Sequence, residues 1–286
     1  MSKIDHEIRK LQKRVTNGGM DRREFIKAAT AMGFAATAPA LFSHAAYATP
    51  KKGGVYRMGL GGANTGDLLD PGDNGDTFMI NMNMGGCRNG LVEVTHDGQA
   101  RPELAESLEP SADAKTWVVK LRKGIEFHSG KTFDADDAIA SIEHHRGPDA
   151  TSDAKSVAES LGSIRKDGPN TLIFDLESGN ADFPYLLSDY HILMGSTDKS
   201  GHIDWESGDG TGSYVVKNFE PGVRAHLVRN PNYFKEGCAN FDEVKITAVG
   251  DPAARMNGIA TGQFDAIGRC DLKTAPMLEK KPGISV

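Results

Sequence analysis

Three cysteines, Cys87, Cys238 and Cys270, are all that a chain of 286 residues contains, and no two form a C-x-x-C pair. Three thiols leave at least one unpaired within the chain, and no cluster of histidines surrounds them. A disulfide framework, a zinc site and a dithiol redox centre therefore lack their sequence marks. Also missing are a G-x-G-x-x-G turn after a strand, a haem attachment motif and a G-x-S-x-G elbow. Basic charge is scarce: 33 Lys and Arg stand against 39 Asp and Glu, a net charge of −6. That balance argues against nucleic acid or an anionic membrane surface as a partner, since both attract basic faces.

What is present begins at the N-terminus. Arg22-Arg23-Glu24-Phe25-Ile26-Lys27 precedes Ala28 to Phe42, a stretch without charge, which leads to Ala46-Tyr47-Ala48. A charged run, a soft apolar segment and small residues two apart have the layout of a removable export signal. The adjacent arginines resemble the twin-arginine type, read by the export machinery that moves folded proteins across a bacterial inner membrane. The apolar part is rich in Ala, Gly and Thr and shorter than the ~20 residues a bilayer needs, so it reads as a weak membrane span and is expected to be a removable leader. The destination expected is the periplasm of a Gram-negative bacterium, with Ala48 the last residue removed. Taking the eight basic and four acidic residues of 1–48 from the totals leaves 25 against 35, a net charge of −10.

Strand and helix signals alternate irregularly beyond residue 49. Gly54–Leu60 alternates as a first strand, and Thr116–Leu121 and Asn170–Leu176 are rich in aromatic and β-branched residues. Asp134 is placed to cap a helix, with Asp136 and Asp137 at the positive end of its dipole and Ala138, Ile139, Ile142 and His145 inward. Tyr214–Val216 and Ala225–Val228 flank Glu220-Pro221-Gly222 as a hairpin. Val244–Val249 reads as a strand. Asp251–Gly262 reads as a helix with Ala253, Met256 and Ile259 on its inner face and Gly262 as its stop. Gly210 and Gly212 are expected to permit a tight turn.

Two groups of segments carry a resemblance. Ala105–Pro110 with Trp117–Gly130 comes first. Gly210–Tyr214, Arg229–Phe234, Asp251–Arg255 and Gly262–Asp265 follow in order. Together they resemble the family-5 extracellular solute-binding proteins, the peptide-binding components of ABC importers. The resemblance implies a mixed α/β (α+β) fold of two lobes, of which this chain would hold lobe one and the start of lobe two. It places the signal region at 1–48, the lobe-one core at 49–88 and 170–270, an inserted subdomain at 89–169, and the start of a truncated lobe two at 271–286. Pro282–Val286 is expected as a strand-like end. The implied molecule is a monomeric receptor that captures a peptide or small-molecule ligand and presents it to the permease's transmembrane subunits.

The same resemblance places pocket-lining segments at Asn74-Gly75-Asp76-Thr77 and at the crossover Ile267-Gly268-Arg269-Cys270-Asp271. Extended backbone there suits an added peptide strand, Arg269 suits a carboxylate, and Asp76 or Asp271 suits an ammonium. Pairing of Arg269 with Asp271, or with solvent, is the alternative. His144-His145 reads as helix surface, because adjacent positions diverge. Asp182, Ser188, Asp189 and His191 read as polar neighbours without catalytic context. No catalytic residue, metal site or cofactor is expected. Receptors for a nickel chelate, a sugar or an opine remain alternatives, as does a secreted enzyme.

Overall fold

The computed structural model describes residues 51–73 and 75–286. Arg22, Arg23, Phe25, Ala46 and Ala48 of the expected leader, and Asn74 of the expected pocket loop, lie outside the described residues.

The first strand, β1 (Val55–Leu60), pairs in parallel with β10 (Glu243–Ala248), with Tyr56 opposite Val244 and Met58 opposite Ile246. On its other side β1 pairs in parallel with the short β11 (Ala266–Ile267). The expected hairpin is β8 (Tyr214–Glu220) and β9 (Arg224–Arg229), and β9 lies antiparallel to β10. The strand order is β11-β1-β10-β9-β8. Alternation puts Leu60, Leu227, Val244 and Ile246 into one cluster with Phe78, Met79 and Met82 of α1 (Thr77–Met82). The expected loop at 74–77 thus ends as a helix start: Asp76 accepts the Met79 amide at 3.0 Å and caps α1.

The helix α5 (Pro252–Ala260) has its predicted Asp251 cap, which accepts the Ala254 amide at 2.6 Å, and its predicted stop, Gly262 at φ +75°. Its inner face differs from the expectation. Ala253 is exposed, and the buried residues are Arg255 and Gly258. Phe264 is the reason. A Cβ on Gly258 would press into the Phe264 ring and one on Gly59 would lie 2.7 Å from it, so two glycines form the slot that holds the ring.

A second core runs from Leu91 to Met194. Its sheet has the order β4-β5-β7-β6, all antiparallel: β4 (Ala105–Pro110), β5 (Thr116–Leu121), β7 (Thr171–Asp175) and β6 (Ser163–Lys166). Trp117, Val119 and Leu121 point inward with Leu172 and Phe174, the period-2 pattern legible in the sequence. Phe183 of α4 (Phe183–Leu186) stacks on Trp117 at 5.3 Å and is fully buried, a contribution of about 2–3 kcal/mol from burial alone. The helix α2 (Ala135–Glu143) carries a capping box in which Asp134 and Asp137 each bond the other's backbone. Two smaller pieces complete this part, the pair β2 (Val92–Val94) with β3 (Ala100–Pro102) and the helix α3 (Lys155–Ser160). The core includes β7, beyond the boundary expected at 169.

The glycines of Gly210-Thr211-Gly212 have a different reason from the expected one. Neither has a positive φ. They pass against another backbone: a Cβ on Gly210 would press on the Cys87 carbonyl, and one on Gly212 would lie 2.7 Å from the Arg88 nitrogen. The Gly212 amide donates to the Cys87 carbonyl at 3.0 Å, and Asn230 donates to the Gly212 carbonyl at 3.0 Å. Thr211 donates to Asn89, whose amide donates to Glu103 and to Tyr233. The sequence segments around 89, 211 and 230 therefore join the two cores at one buried polar knot. At the other end, Pro282–Val286 follows α6 (Ala275–Glu279) without forming the strand expected there.

Candidate functional site

The crossover leaves the sheet at Gly268, whose amide donates to the Gly59 carbonyl at 3.2 Å. Arg269 then adopts φ +52°, a left-handed conformation that a side-chain-bearing residue holds only when its surroundings fix it. Arg255 supplies the fixing. Its guanidinium, 4 % exposed, donates to the carbonyls of Gly268 at 3.0 Å and Arg269 at 3.3 Å, and to those of Val249 at 2.6 Å and Gly250 at 3.0 Å. One fork thus ties two chain segments that no secondary structure joins. Sequence reasoning placed Arg255 only within a family motif and missed this role; its spacing of three from Gly258, on one face of α5, is the available signal.

The two expected pocket segments do meet. A Cβ on Gly268 would lie 3.4 Å from the Thr77 methyl and 3.0 Å from Leu60, so the crossover runs against the first residue of α1. Asp76 beside it is engaged: besides capping α1 it accepts from the Asn64 side chain at 3.4 Å. Gly75 is exposed, and its amide donates to the Asp73 carbonyl at 2.6 Å. Ile267 sits in β11. Asp271 turns its carboxylate to the Lys273 amide at 3.0 Å, and the Cys270 thiol lies 3.7 Å from the Asp271 carbonyl. Arg269 and Asp271 do not pair with each other. Arg269 is exposed, and among the described residues its guanidinium has no partner. The site therefore offers an edge strand, a fixed turn and one uncommitted cation.

The other polar groups are accounted for differently. Ser188 donates its hydroxyl to the Tyr185 carbonyl at 2.8 Å, so the His191–Asp189 pair at 2.7 Å has no nucleophile aligned with it. His144 pairs with Asp70 at 2.8 Å and lies against Trp205. His145 is inward, in line with Ala138 and Ile142, and not helix surface as the His144-His145 pair reads: it is fully buried and bonds Ser152 at 2.7 Å, with Nε2 unpartnered. No group of three or more His, Cys, Asp or Glu among the described residues could hold a metal. No described helix is long and apolar enough to cross a membrane.

Burial, with the neighbouring charge of His144, lowers the His145 pKa from 6.5 to about 4, against the opposing charge of Asp70; His191 and Asp189 also face it. The folded state thus resists a proton that the unfolded chain accepts. The resulting stability is fully present above pH 6.5 and is lost as pH falls from there towards 4, by roughly 3 kcal/mol in full. His145→Gln, which keeps a partner for Ser152, is expected to flatten the stability profile across that window. Urea midpoints of both chains at neutral pH and near pH 5 measure it, and parallel profiles would assign the acid sensitivity to other groups such as His128.

An α/β sheet with an edge strand, a crossover fixed against a helix start and an antiparallel subdomain define one lobe of a binding protein. The profile of the bacterial extracellular solute-binding proteins of family 5 (middle region) matches residues 99–286, and the chain belongs to that family. It is 26 % identical over 238 residues to the oligopeptide-binding protein AppA of Bacillus subtilis, covering 79 % of this chain and 43 % of that protein. Among solved structures, the binding protein AgaA of A. tumefaciens R10, in complex with agropinic acid, superposes with a TM-score of 0.72 at 25 % identity, over 80 % of this chain and 46 % of the other. A nickel ABC transporter protein from Bacillus halodurans superposes at 0.67 with 27 % identity, over 82 % and 46 %. The chain spans less than half the length of these relatives.

Proposed function

We propose that this chain is the ligand-capturing part of a periplasmic receptor for an ABC importer, with di- or oligopeptides as its solutes. The observation that carries the reading is the crossover: β11 is an edge strand, and Arg269 stands free beside it on a turn pinned by Arg255. An unpaired strand edge can take an extended peptide as a further strand, and a free guanidinium can take its carboxylate bidentately. The division of labour would put the ligand face on residues 51–88 and 205–270 and a supporting subdomain on the core from Leu91 to Met194. The partners would be the permease's transmembrane subunits and, before cleavage after Ala48, the twin-arginine export machinery. An opine is the second reading, favoured by the likeness to AgaA, which is bound to agropinic acid, because an acid group would likewise suit Arg269. An enzymatic role has no support in a family of solute-binding proteins.

Mass spectrometry of the ligand that co-purifies with a form of the protein carrying both lobes identifies the solute. With that ligand, Arg269→Ala is expected to weaken binding by roughly 1.5–3 kcal/mol, the range for hydrogen bonds to charged groups, or about ten- to hundredfold. Calorimetric titration measures it; equal affinities in equally folded proteins would move the anchor elsewhere. For export, replacing Arg22 and Arg23 by lysine is expected to leave uncleaved precursor in the cytoplasm. Unchanged periplasmic yield on fractionation would remove the twin-arginine assignment.

A further inference from the structure

Two stretches that give no residue to either core, 70–73 on the side of the five-stranded sheet and 147–153 beyond α2, are held on each other by one ring of contacts. His144, just past the end of α2, bonds the Asp70 carboxylate through Nε2 at 2.8 Å. Asp70 also accepts the Gly72 amide at 2.8 Å, and the Gly72 carbonyl accepts the Asp153 amide at 3.1 Å. Ser152 is packed so close that a Cβ on Gly72 would lie 3.3 Å from its hydroxyl oxygen. That hydroxyl is 2.7 Å from Nδ1 of His145, the neighbour of His144, which closes the ring. We propose that this ring is an acid-sensitive joint, whose opening takes up one proton at His145 and releases 70–73 and 147–153 together while both cores stay folded.

The reason lies in the ring nitrogens. Nε2 of His145 is buried without a partner, so the neutral imidazole keeps its proton on Nδ1 and donates it to Ser152. Ser152 in turn accepts the Ala154 amide at 3.1 Å. A second proton would sit on Nε2, a charged donor facing no acceptor, which is costly in a buried place. The charges around it do not remedy this. Asp70 and Asp189 favour the cation but are engaged with His144 and His191, which oppose it. Asp73 and Asp153 lie around Asp70, and Arg146 turns away to Glu143 and the Ala158 carbonyl. Burial prevails and holds the closed His145 at about 4, whereas opening wets the ring and restores its ordinary 6.5. Segments without core side chains open at small cost, so the proton is accommodated there first. This chain alone buries His145 completely, and the joint is complete without a further polypeptide.

Hydrogen exchange of the whole chain between pH 7 and pH 5, corrected for the intrinsic pH dependence of amide exchange, tests the joint. Protection of the Gly72, Asp73 and Asp153 amides is expected to fall roughly twentyfold over that range, the ratio that a ring at about 4 when closed and 6.5 when open requires. Below about pH 6 the fall should approach one decade per pH unit, the slope for a single proton. Thr116–Leu121 and Glu243–Ala248, one strand from each core, should keep their protection. His145→Gln, which still bonds Ser152, should abolish the fall. A loss shared by the two core strands would make the acid response global and overturn the joint. So would a loss that persists in His145→Gln, or a wild-type slope near zero or two. If His145→Gln lowers protection everywhere already at pH 7, the slope and the confinement of the loss in the wild-type chain decide by themselves.

Discussion

Arg88→Ala is expected to cost about 3–5 kcal/mol of stability and to lower the melting temperature by roughly 10 °C. Arg88 is 1 % exposed, and among its described partners there is no carboxylate. Its guanidinium donates to the Leu69 carbonyl at 2.9 Å, to the Trp205 carbonyl at 2.8 Å and to the Asn83 side chain, and lies over the Trp205 ring at 5.3 Å. A guanidinium is weakly hydrated and planar, so it can be buried against carbonyls and an indole where an ammonium cannot. Truncation takes the Leu69 carbonyl's donor and one donor each from the Trp205 carbonyl and the Asn83 side chain, which keep the Gly208 amide and the Cys87 thiol, and it leaves a void among packed side chains. Arg88→Lys separates charge from shape. It keeps the cation but cannot span both carbonyls, so its loss should be intermediate, about 2 kcal/mol. Urea unfolding of the three chains decides the matter, and a lysine variant as stable as the wild type would show that charge alone suffices.

Arg88 also marks where sequence reading stops. Thr116–Leu121 and Thr171–Asp175 were legible because their alternation is local, and Asp134 was legible because a cap and its helix lie within four residues. The strands Ala105–Pro110 and Ser163–Lys166 carry Glu106, Glu109, Arg165 and Lys166, so no alternation identifies them. Pairing with β5 and β7 makes them strands, and that pairing is long-range. A buried arginine reads as a surface one until the carbonyls around it are known, which hid both Arg88 and Arg255. For the candidate site, the resemblance pointed to residues 74–77 and 267–271, while nothing local announces that Gly268 passes against Thr77. His145, just past the end of α2, was legible as an inward position in line with that helix's inner face, yet its pairing with Ser152 and its nearness to His191 depend on loops that carry no periodic signal.

Gly212→Ala is expected to be more damaging than any truncation of a single core side chain, costing more than about 4 kcal/mol and abolishing the folded state under ordinary conditions. The added methyl would press on the Gly86 carbonyl and lie 2.7 Å from the Arg88 nitrogen, so it meets backbone on its near side and no flexible side chain that could swing away. Relief requires the segment 210–213 to lift from 86–88. Lifting breaks the bond from the Gly212 amide to the Cys87 carbonyl and the contacts of the Gly212 carbonyl with Asn230 and His128, each at 3.0 Å. The same movement disturbs Arg88, so the two substitutions share a mechanism and their costs should not add. Gly85→Ala is the matched control, because its Cβ meets nothing and it should change stability by no more than ~0.5 kcal/mol. Circular dichroism and urea unfolding of the pair make the comparison. A Gly212→Ala chain with a wild-type urea midpoint would mean that the two backbones can part freely, and that the glycine pattern of residues 210–212 has some reason other than their approach.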